Sequence, residues 1–598
     1  MSSTKVAGIR KGGSFLVEDV APSEVFTPED FNDEQKMFVK TAEDFINNEV
    51  LANIEKTEHK EAGAMLDLLK KAGELGLLMI DVPEAYGGLG LDKSTSMAVT
   101  EAISRGGAFG TTYGGHAGIG TLPIVYFGTD AQKQKYLPRL ATGEIASCYA
   151  LTEPGSGSDA LAARSRAELS KDGTHYILNG DKTFITNGGF ADLFIIFAKI
   201  DGLHFSAFIV ERGYEGLTTG AEEKKMGIKG SSTVQVFMEN VKVPVENLLG
   251  EIGKGHKIAF NILNMGRFKL GGGSIGGAKQ AFDDGVKYAN ERIQFGRPIA
   301  KFGMIQAKIA NMASHIYAVE SMAYRTAGLL DAILQPIDKA APDFAQKTMA
   351  GIEEYVAECS TMKVIGSEAL GLVVDETVQI FGGYGFIEDY PAERHYRDAR
   401  VTRIYEGTNE INRMLLTGNL LKRSVKGELP LLLAAKKLAD ELLEGSPSLS
   451  DEDVTATLSI ERAMIANAKK LSLLALGVAG QKYGAKIDEE QQVLCNIADI
   501  IMATYAMEST WLRTMKLVAS RGEASCTPHV GMTRLYCNDA MGRLDLWSRE
   551  LLAACASGDE LRTMLAAARR LVKYTPIDTG HLRLEIAKHF VDKGKWEI

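Results

Sequence analysis

Cysteine is scarce. The chain has six in 598 residues, at 148, 359, 495, 526, 537 and 555, and none forms a C-x-x-C pair. A disulfide framework and a cysteine-based metal site are therefore both excluded as expectations. The ten histidines include no H-E-x-x-H run, so no metal is expected at all. A basic excess is also missing: Lys and Arg total 67 against 77 Asp and Glu, a net charge of −10. Nucleic acid is not the expected partner of such a chain. No apolar run approaches the ~20 residues of a membrane span. The first thirty residues lack the apolar core of a secretory signal. These absences leave a cytoplasmic protein as the expectation, with peripheral contact at the inner face of the membrane as the alternative.

What is present has a clear order. At about 150 residues per domain, the length allows roughly four domains. Residues 31–147 carry apolar positions at helical spacing, as in "DEQKMFVKTAEDFINNEVLANI". Residues 148–252 change to short β-branched and aromatic runs separated by Asn-Gly, Asp-Gly and Gly-Gly, the pattern of antiparallel strands. Helical spacing returns over 253–424, most plainly at 275–292, 304–334 and 345–373. A linker with an amphipathic stretch follows at 425–453, in which 446–453 reads as polar. Residues 454–598 are helical again. The expected fold is mainly α with a central antiparallel β domain.

The last segment resembles the third. A shift of 188 residues brings "YAVESMAYRT" onto "YAMESTWLRT", placing Tyr317 on Tyr505, Glu320 on Glu508 and Arg325 on Arg513. A degenerate repeat is predicted, with helix packing kept and polar site residues lost.

One motif misleads. "GGGSIG" at 271–276 satisfies G-x-G-x-x-G, but no strand precedes it, so close helix packing is expected there instead of a dinucleotide fingerprint. His116 beside the Gly-rich stretch 104–120 is expected to be structural.

Three clusters carry chemistry. "YALTEPGSGSDA" (149–160) offers hydroxyls at Thr152, Ser156 and Ser158, and glycines that admit a ligand close to backbone N–H groups. "FITNGG" (184–189) places an aromatic side chain and Thr186 beside a turn. "RIYEGTNEINRM" (403–414) sets Glu406 between an aromatic residue and Gly407-Thr408 just before a helix. Burial there would raise its pKa toward that of a base acting near neutrality. Singly, each also fits an ordinary turn, hairpin or helix start.

Together, and with "KMGIKGSSTVQVFMENVKVPVENLLGE" (225–251), "ERIQFGRPI" (291–299), "QIFGGYGF" (379–386) and "YEGTN" (405–409), they make the chain resemble the acyl-CoA dehydrogenase family over nearly its whole length. The extra C-terminal segment is most similar to the very-long-chain branch. The resemblance implies FAD, an acyl-CoA substrate, an electron-transfer flavoprotein as electron acceptor, and a homodimer. It implies that Tyr149, Leu151, Thr152, Gly157 and Ser158 line the flavin, with Ser158 also near substrate. Phe184, Ile185 and Thr186 would cover the ring, Phe184 standing where the family often has Trp. Arg292, Gln294, Phe295 and Phe302 would hold the adenine-dinucleotide end, and Gln379, Gly382 and Gly383 would reach the cofactor of a neighbouring subunit. Thr408 and Glu410 complete the cofactor set. Glu406 is implied as the catalytic base, with Asn264, Arg267, Tyr405 and Gly407 at the substrate. Gly114, Gly115, Gly118 and Gly120 would leave a pocket deep enough for long or very long acyl chains in fatty acid β-oxidation.

Overall fold

The computed structural model describes residues 9–338, 341, 343–443 and 456–598. The expected polar linker at 446–453 lies outside the described residues. Helices run from Asp33–Phe45 to Asp130–Ala141, an eight-stranded sheet follows, and long helices make up the remainder. The fold is thus mainly α around a central sheet, as the periodicities predict.

Most strand pairings are antiparallel, including the 12-residue pair His175–Thr186 and Thr233–Pro244. Two are parallel: Ser147–Ala150 and Arg166–Leu169 both run alongside Leu193–Ile200. Each reaches Leu193–Ile200 through a long connection that contains the strand His175–Thr186, which a parallel pairing requires and a tight turn cannot supply. Strand Leu193–Ile200 is apolar on both faces. Phe194 and Ile196 enter the sheet's own core, while Ile195 and Phe197 enter the helical core, so this strand fastens the sheet to the helices.

The long helix Gly255–Glu291 starts twenty residues before the strongest periodicity. Its Gly-rich stretch 271–277 weakens intrinsic propensity, and packing overrides that deficit. A Cβ at Gly276 would stand 1.9 Å from the Glu101 carbonyl oxygen, so the misleading glycine motif does serve close helix contact. The helix expected at 345–373 is two, Phe344–Glu354 and Val356–Phe381, broken at Tyr355, whose hydroxyl donates to the Arg10 carbonyl at 2.7 Å.

The shift that pairs Tyr317 with Tyr505 also carries the start of helix Gly303–Leu334 onto the start of Gln491–Arg521. These two helices meet through reciprocal contacts. Tyr317 bonds Thr514 at 2.8 Å and Tyr505 bonds Thr326 at 3.0 Å. Arg325 pairs with Glu508 at 2.8 Å and Arg513 with Glu320 at 2.5 Å. Each guanidinium also lies 4.6 Å from the opposite tyrosine ring. Such reciprocity is what two like elements meeting across a two-fold produce. All four charges are buried. Arg325→Ala and Arg513→Ala should each destabilise, but by less than the roughly 3–5 kcal/mol of a fully broken buried pair, because Glu508 keeps Lys469 at 2.6 Å and Glu320 keeps Lys279. Thermal unfolding checks this; an unchanged midpoint in either variant contradicts it.

Among the described residues one helical segment, Ser459–Glu489, is long and apolar enough to cross a membrane, which the composition of its segment did not suggest; most of its apolar window is buried inside the protein. The amphipathic stretch forms helix Leu431–Leu443 and buries Leu431, Ala435 and Leu438, with Ala435 against Gly477 of that same helix.

Candidate functional site

A cleft of about 1330 Å³ opens where the sheet meets the long helix and the helix Asn409–Val425. Tyr149, Leu151, Thr152, Gly157 and Ser158 line it from the first cluster, and Phe184, Ile185 and Thr186 from the second. Asn264 and Arg267 come from the long helix, and Tyr405, Glu406, Gly407 and Thr408 from the third cluster. The sequence spreads these positions over 260 residues, and the fold brings them to one cavity.

The first cluster is held as a rigid turn. Glu153 and Ser156 exchange backbone hydrogen bonds at 3.0 Å. The Glu153 carboxylate accepts from the Arg164 and Ser165 N–H groups and from Lys182 Nζ. Gly155 and Gly157 have open space beside them, so a ligand can reach the backbone there. In the second cluster the sheet register shifts between Lys182 and Ile185. That bulge turns Phe184 outward at φ +56°, leaving it 65 % exposed. Asn187, also left-handed at φ +65°, is buried and donates to the Thr112 carbonyl at 2.9 Å. These turns offer open backbone at Gly155 and Gly157 and an exposed aromatic face at Phe184, the surface on which a flat ring with a polar edge such as an isoalloxazine would rest.

Glu406 sits in the left-handed region, at φ +57°. Strain of this kind persists only where surroundings impose it. Here Arg267 Nε donates to the Glu406 carbonyl at 3.2 Å, and Asn412 Nδ2 donates to the Gly407 and Thr408 carbonyls at 2.9 and 3.0 Å. Thr408 caps the following helix by accepting from the Ile411 N–H. Glu406 Oε2 is buried without a hydrogen-bond partner. Burial pushes the carboxyl up to about 7, against the opposing pull of Arg267 and Lys363. A Cβ at Gly266 would lie 2.5 Å from Glu406 Oε2, so the long helix can carry no side chain where this carboxylate rests.

A second, narrower cavity leaves Glu406 and follows the long helix past Gly266, Leu270, Gly273 and Gly277 to Gln280, with Gly107, Gly110, Gly114 and Gly118 opposite. The four glycines expected to give depth separate into two kinds. Gly114 has nothing within 4 Å of its missing Cβ, and Gly118 has only the Lys269 stem at 3.8 Å. Gly115 lines the cavity but its Cβ would press on Asn187 at 2.9 Å, and a Cβ on Gly120 would meet Ser147 Oγ at 2.4 Å. The last is a packing glycine and does not line the cavity. His116 is structural, as expected. It is buried, bonds the Leu140 carbonyl at 2.9 Å and accepts from the Ser147 N–H, and burial pushes it down to about 4.

The remaining expected cofactor residues do not join the cleft. Arg292, Gln294, Phe295, Phe302, Gln379, Gly382 and Gly383 line neither cavity. The hairpin Ile293–Pro298 and the turn Gly382–Phe386 instead form one outward surface, bridged by Arg292 over the Tyr384 ring at 5.3 Å. Glu410 also stays outside, two residues past the Thr408 cap. Sequence reasoning missed Arg105, Lys269, Gln280 and His395, which line the narrow cavity. The available signal was the small-residue stripe Gly266–Gly273–Gly277 at helical spacing.

Known proteins match this geometry. Family models of the acyl-CoA dehydrogenase N-terminal, middle and C-terminal domains match residues 32–144, 148–241 and 253–421, and a further C-terminal model matches 467–570. A probable acyl-CoA dehydrogenase of Bacillus subtilis is 50% identical over 594 residues, covering 99% of this chain and all of that one. The very long-chain specific acyl-CoA dehydrogenase of Macaca fascicularis is 36% identical, covering 87% of this chain and 78% of its own. The crystal structure of an acyl-CoA dehydrogenase complexed with FAD from Bacillus anthracis superposes with a TM-score of 0.96 at 51% identity, over 98% of this chain and all of that one. With a full-length relative at half its residues identical and all four models in register, the chain belongs to the acyl-CoA dehydrogenase family.

Proposed function

We propose that this acyl-CoA dehydrogenase oxidises long or very long acyl-CoA thioesters to trans-2-enoyl-CoA, with FAD as its cofactor. The observation that carries the proposal is the position of Glu406: a buried, unpartnered carboxylate oxygen at the junction of the wide cleft and the narrow apolar groove.

The turns at 149–158 and 184–186 would hold the flavin. Bound there, FAD supplies the acceptor for the hydrogen that leaves Cβ as hydride. The protein's own work is placement and proton transfer. The Glu406 N–H has no acceptor among the described residues and can donate to the thioester carbonyl as enolate charge develops, a donor generally worth a few kcal/mol. Glu406 Oε2 takes the α-proton. Arg267 holds the Glu406 carbonyl and also bonds Asn264 at 2.8 Å, which fixes the carboxylate relative to the long helix. An acyl chain filling the groove excludes water and strengthens these interactions.

The groove supports chain length. From Gly266 to Gln280 the long helix advances by fourteen steps, ~21 Å of wall at 1.5 Å per residue. An extended chain advances ~1.2 Å per bond, so roughly seventeen bonds fit.

We assign electron-transfer flavoprotein as the acceptor, docking where exposed Phe184 marks the rim of the flavin site. We assign a homodimer, because Phe295, Met304 and Phe386 are each more than 80% exposed on the surface that carries the remaining cofactor residues. Large apolar side chains exposed together on the hairpin and the neighbouring turn, which Arg292 over Tyr384 joins, are what an interface would cover. We place the protein in the cytoplasm, since all six cysteines are free and the amphipathic helix is packed on its own chain.

Anaerobic mixing of the yellow protein with palmitoyl-CoA tests the proposal. The flavin absorbance should bleach within one turnover; a spectrum left unchanged by every acyl length refutes the activity.

A further inference from the structure

The far end of the groove differs from the rest. Along the long helix its walls carry glycines and the apolar side chains of Leu270, Leu370, Val374 and Ala399, with hydroxyls such as those of Thr100 and Thr111 and one cation, Lys269, already held by Asp81. At Gln280 the lining gathers Arg105 and His395 as well, and Asp398, which accepts from the Ile228 N–H, lines the same cavity one turn along from His395. Three separate segments deliver these groups, and the proton-transfer chemistry uses none of them.

They form a connected network. Arg105 Nε donates to Gln280 Oε1 at 3.2 Å, and its Nη2 pairs with Asp283 at 2.6 Å. Gln280 Nε2 reaches Asp284 at 3.3 Å, and His395 Nε2 lies 2.8 Å from the same carboxylate. Two of the five N–H groups of Arg105 are thereby used, and the rest can serve a ligand. The carboxylates here, Asp283, Asp284 and Asp398, outnumber the one permanent cation.

We propose that this end recognises acyl chains bearing a neutral hydroxyl at or next to the ω-carbon, an inference that rests on the long-chain assignment above. A terminal methyl finds polar groups there and gains little. A hydroxyl can accept from Arg105 and donate to a carboxylate oxygen, which satisfies both of its roles. A terminal carboxylate meets the Asp398 carboxylate in the lining, with Asp283 and Asp284 behind Arg105 and His395, and is disfavoured. The dimensions agree. Sixteen bonds separate C2 from C18, ~19 Å at ~1.2 Å per bond, which brings the oxygen of an 18-hydroxy chain level with Gln280.

The test compares kcat/KM for octadecanoyl-CoA, 18-hydroxyoctadecanoyl-CoA and the monothioester of octadecanedioic acid on the FAD-loaded enzyme. A wholly apolar pocket rejects an added hydroxyl by roughly 10²-fold. The expected result is a hydroxy substrate within about fivefold of the plain chain and a carboxy substrate at least ~10-fold poorer. Gln280→Leu and Arg105→Leu should each lower the hydroxy-to-plain ratio by about tenfold; Gln280→Leu keeps the Arg105–Asp283 pair and guards against a folding defect. A hydroxy substrate more than fivefold poorer overturns the proposal. So does a carboxy substrate used as well as the hydroxy one, because an end merely open to water accepts both. If octadecanoyl-CoA itself fails to reduce the enzyme while short acyl-CoA succeeds, the long-chain assignment falls, and this proposal with it.

Discussion

Glu406→Gln should yield a folded, yellow protein whose dehydrogenation rate is about 10⁴-fold below wild type, the upper range of what a general base contributes. The amide is isosteric with the carboxyl, and the turn around it does not depend on its charge. The Glu406 carbonyl is held by Arg267 and the flanking carbonyls by Asn412, all through backbone atoms. FAD should therefore stay bound, since the turns that line its site belong to other elements. Steady-state turnover with palmitoyl-CoA and the flavin-to-protein absorbance ratio check the two halves separately. Turnover within tenfold of wild type would move the base elsewhere, and loss of FAD would show that the side chain supports the fold.

The second large effect concerns the groove. Gly114→Leu should lower kcat/KM for palmitoyl-CoA by at least ~10²-fold while leaving hexanoyl-CoA within about threefold, since several methylenes lose their place at 1–3 kcal/mol each. The site is suited to this test because nothing lies within 4 Å of the added Cβ and the backbone there is helical, at φ −63°. Gly115 would be a poor choice: its Cβ would push Asn187 and Thr186, and thus disturb the flavin turn directly. An activity profile across acyl lengths decides it. If the longest usable chain is unchanged in Gly114→Leu, the groove along the long helix is not the acyl site.

The legible parts of this protein were those written locally. The change from 3.6-residue to 2-residue periodicity near 148 marked the sheet, and compact runs such as "YEGTN" carried Glu406, Gly407 and Thr408 on consecutive positions. What stayed hidden depends on distant segments meeting. The two parallel pairings beside Leu193–Ile200 follow from a long excursion whose return path no local pattern encodes. Gly114 and Gly120 look alike in sequence, yet one faces empty space and the other Ser147, which only packing decides. Arg292 and Gln379 belong to a surface apart from the cleft, a separation that the linear order conceals. The polar end of the groove draws on residues 105, 280 and 395, each unremarkable among its neighbours. The repeat was visible over a ten-residue stretch with six identical positions, but the crossed pairs Arg325–Glu508 and Arg513–Glu320 required the two helices side by side.

The polar path beside Glu406 bears on how its basicity is set. Lys363, buried and bonded to Asn409 Oδ1 at 2.6 Å, is pushed down to about 8 by burial. It stands with Arg267 as the cationic counterweight to the burial that raises Glu406. The base is therefore balanced near neutrality and not fixed as a charged carboxylate.

That balance gives the most direct measurement: the rate of flavin reduction by palmitoyl-CoA, followed in a single turnover from pH 5 to 9. Glu406 must be unprotonated to act, and its carboxyl titrates near 7. The rate should climb about tenfold per pH unit below that value and level off above it, and Glu406→Gln should flatten the profile. A wild-type rate already at its plateau by pH 5 would mean that an ordinary, solvated carboxylate removes the proton, and would contradict the account.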